Sequence, residues 1–279
     1  MIIDCHSHIG MDYHHAYSDV KKYLKYIEKL GVDYGMVMPQ VNPLYLNNGD
    51  YVRPNLHSKN PYEQINNILY NEISSYKNLI YVPYIHTALD ETNYLQELYE
   101  KMQPVALKVH GIGSRTTVED FNPQIIKFLK KYDVPLIIHT DYVIEEKNSE
   151  LKRLRLGNMA IKWAEFLIKN DIRGTLNHGC SYDKKAFEIV NNSKLIRVGL
   201  GPDIIVKNNP NRLVDNINGN YLSDIQNYLD IDKMVFDIDY NWNTEDYNDD
   251  YQIIERYKTS FEKKKLKKVL GKNAEEFYF

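Results

Sequence analysis

Two kinds of hydrophobic pattern alternate along the chain. Short apolar runs rich in β-branched residues predict eight strands, at Met1–Cys5, Tyr34–Met38, Leu79–Ile85, Val105–Val109, Pro135–Ile138, Arg173–Leu176, Leu195–Val198 and Lys233–Phe236. In the first gap, Asp19–Leu30 has apolar residues at the three- and four-residue spacing of an amphipathic helix, and Gly31 supplies a stop. Similar spacing predicts helices at Asn66–Tyr76, Asn93–Met102, Pro123–Tyr132, Asn158–Asn170, Asp183–Asn192, Tyr221–Leu229 and Tyr251–Leu270.

This alternation of strand and helix predicts parallel strands joined by crossover helices. Eight such units in 279 residues favour a closed (β/α)8 barrel over an open doubly wound sheet. No linker-like segment interrupts the chain, so we expect residues 1–279 to form a single domain. Two stretches rich in Asn, Pro and Gly, Pro39–Asn60 and Leu200–Asn220, follow the second and seventh strands. Barrels of this kind carry their active site on that rim, so we expect a substrate lid there.

Composition narrows the class of function. The formal net charge is −3, which offers no overall attraction to nucleic acid or to an anionic membrane. No apolar run approaches the ~18 residues that span a bilayer, and the first residues do not have the pattern of a signal peptide. The two cysteines, Cys5 and Cys180, are too few for a disulfide framework. We therefore expect a cytoplasmic protein that acts on a small molecule, with a homo-oligomer left open.

Ionisable side chains gather where the predicted strands end. His6 and His8 follow the first strand, and residues two apart on a strand point to the same side. The fifth, sixth and eighth strands run into His139, His178 and the pair Asp237 and Asp239. Because the carboxyl ends of barrel strands meet on one face, these groups predict a divalent-metal site with proton-transfer groups beside it. The alternative is a ring of polar residues on the rim without a metal.

The motifs, in their order along the chain, resemble the amidohydrolase superfamily, in particular the subgroup that includes aminocarboxymuconate semialdehyde decarboxylase. The segments that carry the resemblance are Asp4–Gly10, Leu107–His110, Val134–Thr140, His178–Gly179, Phe236–Tyr240 and Gly271–Ala274. The resemblance implies a distorted (β/α)8 TIM barrel with a divalent metal, most often zinc. It maps the metal ligands onto His6, His8, His139 and Asp239. It also implies that His178 and Asp239 act catalytically, by moving protons beside a metal-activated water.

At two positions the resemblance does not decide the role of a residue. Where the subgroup often has Gly-[Ser/Thr]-Asp-[Tyr/Phe]-Pro, this chain reads Asp237-Ile238-Asp239-Tyr240-Asn241. Aligning Tyr240 with the aromatic position makes Asp239 the ligand and leaves Asp237 as a supporting or substrate-binding group. Lys108 stands where two-metal relatives carry a carbamylated lysine; unmodified, its ammonium would bind a substrate carboxylate or phosphate. We expect one metal per chain, and two if Lys108 is carbamylated.

Residues near other strand ends are expected to line a substrate pocket, namely His110, Arg115 and Trp242. The expected function is metal-dependent hydrolysis of a C–N or C–O bond in a small polar amide, lactone or ester. The alternatives are metal-dependent non-oxidative decarboxylation at the same site and a non-catalytic metal-binding barrel. A further alternative is binding of a membrane or of nucleic acid through the lysine-rich segment 263–268. This segment is most simply read as a solvated helix face.

Overall fold

The computed structural model describes residues 1–11, 17–40, 44–45, 51–52, 56–140, 148–201, 221–240 and 252–279. Eight strands, labelled β1 to β8, form a ring: Ile3–Met11, Tyr34–Pro39, Leu79–Tyr81, Leu107–Val109, Leu136–Ile138, Gly174–Leu176, Ile196–Gly199 and Met234–Val235. All eight predicted strands are therefore present, and β1 extends well beyond its predicted end. Of three further two-residue strands, Tyr17–Ser18 pairs with the end of β1, and Leu44–Tyr45 pairs with Tyr51–Val52.

Parallel pairing joins β1 to β3 in one sheet and β4 to β8 in another. Two single-residue parallel bridges connect the sheets, Tyr84 with Lys108 after β3 and Ser7 with Tyr240 after β8. At the second bridge, the His8 N–H also donates to the Tyr240 carbonyl oxygen at 2.7 Å. The eight strands thus complete a ring, and the predicted distorted (β/α)8 TIM barrel is confirmed.

Eight longer helices, labelled α1 to α8, accompany the strands: Val20–Leu30, Glu63–Ile73, Thr92–Met102, Pro123–Tyr132, Ser149–Gly157, Ala160–Asn170, Lys184–Asn191 and Ile253–Ser260. Shorter helical turns lie at Gly111–Ser114, Val118–Asp120, Tyr221–Asp224, Ile225–Asn227 and Ile231–Lys233, and the chain ends in Lys263–Lys267, Lys268–Lys272 and Asn273–Tyr278. No helix within these described residues is long and apolar enough to cross a membrane.

Local sequence explains where the helices begin and end. The Asp19 carboxylate accepts hydrogen bonds from the first amides of α1, and Gly31 ends that helix at a φ of 70°. The single helix predicted over Tyr251–Leu270 is wrong, because Phe261 adopts an extended backbone and packs its buried ring on Tyr257. Helix α5 was not predicted, since it buries only Leu154 and Gly157 and so has no apolar stripe.

The core has two layers. The larger layer lies between the helices and the outer face of the strands. The inner cluster fills the barrel with side chains such as Ile3, Cys5 and Met36. The C-terminal helix Asn273–Tyr278 adds Ala274, Phe277 and Tyr278 to this cluster. The Arg173 guanidinium, just before β6, donates to the Phe277 carbonyl oxygen at that end of the barrel. Apolar packing thus fills the barrel, and the polar groups of the candidate site meet at the opposite, carboxyl ends of the strands.

Candidate metal centre

Three imidazoles approach one carboxylate at the carboxyl ends of the strands. The Nδ1 of His6 lies 3.6 Å from Asp239 Oδ1, and the Nε2 of His8 lies 3.7 Å from the same oxygen. From the other side, His178 Nδ1 lies 3.8 Å from Asp239 Oδ2. One ligand atom each of His6, His178 and Asp239 falls within 4.8 Å of the others. These separations are close to those of ligands ~2.1 Å from a shared ion.

A bulge in β1 brings both of its histidines to this point. The pairing of β1 with β2 changes register between Asp4 and Ser7. Cys5 packs in the inner cluster, yet His6 and His8 both reach the centre, with their Nε2 atoms 3.0 Å apart. With strict alternation along β1, the side chains of Cys5 and His6 would point to opposite faces of the strand. The bulge lets both of them face the interior of the barrel.

The hydrogen bonds of the two histidines leave nitrogen atoms available. The Nδ1 of His8 lies 2.9 Å from the Pro39 carbonyl oxygen, which assigns the proton to Nδ1 and leaves Nε2 with its lone pair. The Nε2 of His6 faces His8 and also lies 2.9 Å from Lys108 Nζ. The Nδ1 of His6 is buried and has no hydrogen-bond partner among the described residues. A bound cation would satisfy such a nitrogen.

Burial sets the protonation of these groups. It lowers the pKa of His6 and of His139 well below the ordinary value, and that of His8 to about 3. The imidazoles are therefore neutral, which is the form that binds metal. Burial also raises the pKa of the Asp239 carboxyl, while the Lys108 ammonium acts in the opposite direction. A metal ion at this point would restore the charged carboxylate.

His139 joins the centre through His178. The His139 Nδ1 lies 2.8 Å from His178 Nε2. On its other side His139 stacks on the His110 ring, with centroids 3.9 Å apart and planes within 12°. The Nδ1 of His110 accepts a hydrogen bond from the Gly113 amide. The structure thus brings the predicted residues together, while the division into ligands and proton-transfer groups stays a prediction.

The His178 backbone has an unusual conformation. The five consecutive residues His178–Tyr182 all have φ between 50° and 58°, in the left-handed region that L-residues other than glycine avoid. A Cβ at position 179 would collide with the Tyr221 hydroxyl, so glycine is needed there. The Tyr182 hydroxyl donates to the Asp224 carboxylate and anchors the far end of the turn. No feature of the sequence except Gly179 signalled this left-handed turn.

Lys108 and Asp237 lie deeper than their predicted part in substrate binding suggests. Both are fully buried. Burial lowers the pKa of Lys108, against the pull of Asp239 and Asp237, and raises the pKa of Asp237 well above its ordinary value. Neither Asp237 oxygen has a hydrogen-bond partner within the described ranges, and a Cβ at Gly201 would come 2.9 Å from Oδ1. The glycines of the β7 end therefore make room for this enclosed carboxylate.

Other predicted residues are not joined to the cluster. Arg115 is exposed and ends the short helix Gly111–Ser114 at a φ of 55°, and no described contact links it to the metal centre. Trp242 lies outside the described residues, as do half of the predicted lid segment Pro39–Asn60 and most of the other, Leu200–Asn220. The sequence reasoning missed Tyr84, which stands opposite Lys108 at the first bridge and is fully buried. The alternation of Val82 with Tyr84 was the available signal.

Comparison of the sequence with protein-family models and with curated proteins found no match. Comparison of the structure did find similar proteins. 5-Carboxyvanillate decarboxylase from Sphingomonas paucimobilis superposes with a TM-score of 0.66 at 8% identity, covering 99% of this chain and 98% of that one. A zinc-bound amidohydrolase from Burkholderia multivorans gives 0.64 at 10% identity, with coverage of 100% and 99%.

A structure described as amidohydrolase II is similar at a TM-score of 0.64 and 12% identity, over 100% of this chain and 99% of that one. At such low identity the likeness concerns the fold alone. It extends over nearly the whole length of each protein, and all three relatives agree with the resemblance carried by the sequence motifs. The chain therefore has the fold of the amidohydrolase superfamily, a distorted (β/α)8 barrel found both in proteins described as amidohydrolases and in a decarboxylase.

Proposed function

We propose that this protein is a metal-dependent hydrolase that adds water across a C–N or C–O bond of a small polar substrate such as an amide, lactone or ester. The observation that carries the proposal is the approach of three imidazoles to one buried carboxylate, at 3.6–3.8 Å from Asp239. Neutral imidazole and carboxylate groups are the donors of catalytic zinc sites.

In this proposal one divalent metal, most simply zinc, is held by the ligands that the resemblance implies, His6, His8, His139 and Asp239. His139 lies beside the cluster through its contact with His178. The buried Nδ1 of His6, which has no hydrogen-bond partner in the described part of the chain, supports a cation at this point, since burying a polar nitrogen without a partner is costly. A divalent metal there would supply a Lewis acid and a water that loses its proton near neutral pH.

The chain's own groups would then move the protons. Hydrolysis requires the attacking water to lose a proton and the leaving nitrogen or oxygen to gain one. The charged Asp239 carboxylate is suited to accept the proton, and His178, whose Nδ1 lies 3.8 Å from Asp239 Oδ2, is suited to pass it on. His110, one of the predicted substrate-binding residues, stacks on His139 and so lies beside the centre.

Lys108 decides between one metal and two in this proposal. Its amine is fully buried, and burial lowers its pKa, which favours the neutral form that can react with carbon dioxide. If Lys108 were carbamylated, His139 and His178 would hold a second metal. We favour one metal, because Lys108 Nζ already has a partner in His6 Nε2 at 2.9 Å.

Decarboxylation at the same residues is the alternative reaction. The decarboxylase with this fold gives the reason to test it. In that case a Lys108 ammonium would bind the substrate carboxylate, and carbon dioxide rather than a hydrolysis product would be released. The two reactions differ in what they release, so one assay separates them.

The first experiment is elemental analysis of protein purified without chelator or affinity-resin metal. Wild type is compared with His139→Ala and with His57→Ala, which removes an exposed histidine outside the cluster. One metal per chain, lost only in His139→Ala, is the expected result. Two metals would put a carbamylated Lys108 into the mechanism. No metal in the wild type, even after reconstitution, would contradict the proposal and favour a non-catalytic barrel.

The second experiment identifies the reaction. The metal-loaded protein is incubated with a panel of amides, lactones, esters and aromatic carboxylic acids, while acid production and carbon dioxide release are followed separately. Acid production from an amide, lactone or ester, lost in Asp239→Ala, supports hydrolysis. Carbon dioxide release without hydrolysis of any member of the panel would favour the decarboxylase.

A further inference from the structure

A buried carboxylate next to the metal centre is fully hydrogen-bonded without taking part in it. Asp4 has no exposed surface. Its Oδ2 accepts hydrogen bonds from the hydroxyls of Ser7 and Tyr23, each at 2.5 Å. Its Oδ1 accepts from the backbone amides of Ile238 at 2.9 Å and His6 at 3.2 Å. Asp4 therefore ties β1 both to α1 and to the segment that follows β8.

That segment is held by β1 at three successive amides. The Asp239 N–H donates to the His6 carbonyl oxygen at 2.7 Å. The next amide, that of Tyr240, donates to Ser7 Oγ at 3.1 Å. The preceding amide is the one bonded to Asp4. The carboxylate and the serine hydroxyl thus hold the residues on both sides of Asp239.

Asp239 needs this support because its backbone is strained. Its φ is 51°, in the left-handed region, which is unfavourable for a residue other than glycine unless neighbouring contacts hold it there. If the flanking amides were released, the backbone could relax to an ordinary φ. That relaxation would turn the carboxylate away from His6 and His8. The position of the predicted ligand therefore depends on the hydrogen bonds around it.

We propose that Asp4, together with Ser7 and Tyr23, is a positioning group that sets the metal affinity of the centre by holding Asp239 in its strained conformation. The inference rests on the proposed metal centre. It adds residues that touch neither metal nor substrate. Groups that orient metal ligands typically change affinity or activity about 10- to 100-fold when they are removed.

The test measures zinc affinity by chelator competition and the visible spectrum of the cobalt-substituted protein. The variants are Ser7→Ala, Tyr23→Phe and Asp4→Asn. Tyr62→Phe is the matched control for the tyrosine, because it removes a buried hydroxyl bonded to Ser114. Asp90→Asn is the control for the carboxylate, because Asp90 is buried and accepts a backbone hydrogen bond from the His86 amide.

We expect zinc affinity to fall about 10- to 100-fold in Ser7→Ala and Asp4→Asn, and less in Tyr23→Phe, with a changed cobalt spectrum. The two controls should keep the wild-type affinity and spectrum. A merely structural part for Asp4 would lower the melting temperature of the metal-free protein without moving the spectrum. If Asp4→Asn does not fold, Ser7→Ala and Tyr23→Phe still decide the question.

Wild-type zinc affinity and an unchanged cobalt spectrum in folded Ser7→Ala and Tyr23→Phe would overturn this inference while leaving the proposed function intact. Failure of the wild type to bind zinc or cobalt would overturn both. The two failures are therefore distinguishable in one set of titrations.

Discussion

His6 and His178 reach the same carboxylate from two regions that are built in different ways. On the β1 side, backbone and side-chain hydrogen bonds connect β1 to the segment after β8, and a bulge directs the histidines inward. On the β6 side, His178 begins a left-handed turn with positive φ at five residues, anchored by Tyr182 and packed against Tyr221. Hydrogen bonding positions His6 in the first region, and a strained backbone held in place by packing positions His178 in the second.

The difference predicts how each region responds to change. Hydrogen bonds between strands can be removed singly, so the β1 side should lose metal affinity in steps. The left-handed turn depends on Gly179, where a side chain would collide with Tyr221. A single substitution there should therefore disrupt the whole turn. Four predictions follow this contrast from the largest effect to the smallest.

Removing a ligand on the β1 side should have the largest effect. His6→Ala and Asp239→Ala are expected to lose bound metal and turnover together, because each deletes a donor of the proposed centre. The barrel should stay folded, since its apolar core is untouched. Elemental analysis and circular dichroism check both statements. Full metal content and full activity in either variant would contradict the site assignment.

Gly179→Ala tests the β6 side. The added Cβ meets the Tyr221 hydroxyl, and the residue keeps a φ of 55°, so we expect a loss of about 3–5 kcal/mol in the free energy of unfolding. Gly31→Ala is the matched control. That glycine has a φ of 70°, and no neighbouring atom of the described residues comes within 4 Å of a Cβ built there, so the variant should lose only about 1–2 kcal/mol.

Denaturant unfolding measures both glycine variants. Adding Tyr221→Phe to Gly179→Ala removes the hydroxyl that the Cβ meets and should recover part of the loss. Equal losses at positions 179 and 31 would mean that packing against Tyr221 does not hold the turn. The β6 side would then be no more constrained than an ordinary helix end.

Asp90 is a buried carboxylate away from the site, and its effect on the pH dependence of stability can be compared with that of Asp4 on the β1 side. Burial raises its pKa to about 7, with a backbone amide acting in the opposite direction. The folded state therefore holds a proton that the unfolded state has lost, so stability is present below about pH 4 and falls as pH rises toward about 7. A shift of this size corresponds to an expected loss on the order of 4 kcal/mol. Unfolding at several pH values should give a shallower slope for Asp90→Asn than for wild type.

The smallest effect is expected from Tyr182→Phe. It removes the hydroxyl that donates to Asp224, at the end of the turn away from His178. A single hydrogen bond of this kind contributes about 1 kcal/mol. Metal affinity should stay at the wild-type value, in contrast with Tyr23→Phe on the β1 side. A drop in affinity as large as that of Ser7→Ala would remove the distinction between the two regions.

Much of the fold could be predicted because its signals are local. Each strand of the ring is an apolar run, and the Asp19 and Gly31 caps of α1 can be read from the sequence. The histidines of the site could be found in the same way, since His-x-His and the other strand-end groups are adjacent to those runs.

The rest depends on contacts between distant residues. The bulge in β1 forms against β2, and Asp237 is enclosed by the glycines at the end of β7. The hydrogen bond between Asp4 and the Ile238 amide joins residues 234 positions apart. The left-handed turn after β6 consists mostly of residues that avoid positive φ, so propensity predicts the opposite of what is present. Local pattern therefore finds the candidate site residues, and packing against other parts of the chain determines how they are held.

The bridge between Ser7 and Tyr240 has a consequence for the order of folding. This bridge joins the first strand to the segment after the last one, and the inner cluster likewise includes both Ile3 and Phe277. These contacts therefore close a loop that contains nearly the whole chain. Such distant contacts form late, because the entropy of loop closure has to be overcome before they stabilise the fold. The proposed metal centre lies on that same seam between β1 and the segment after β8. A bound metal would therefore stabilise the contact between the two ends of the barrel that forms last. We expect it to slow the separation of β1 from the segment after β8 more than the separation of any other neighbouring strands.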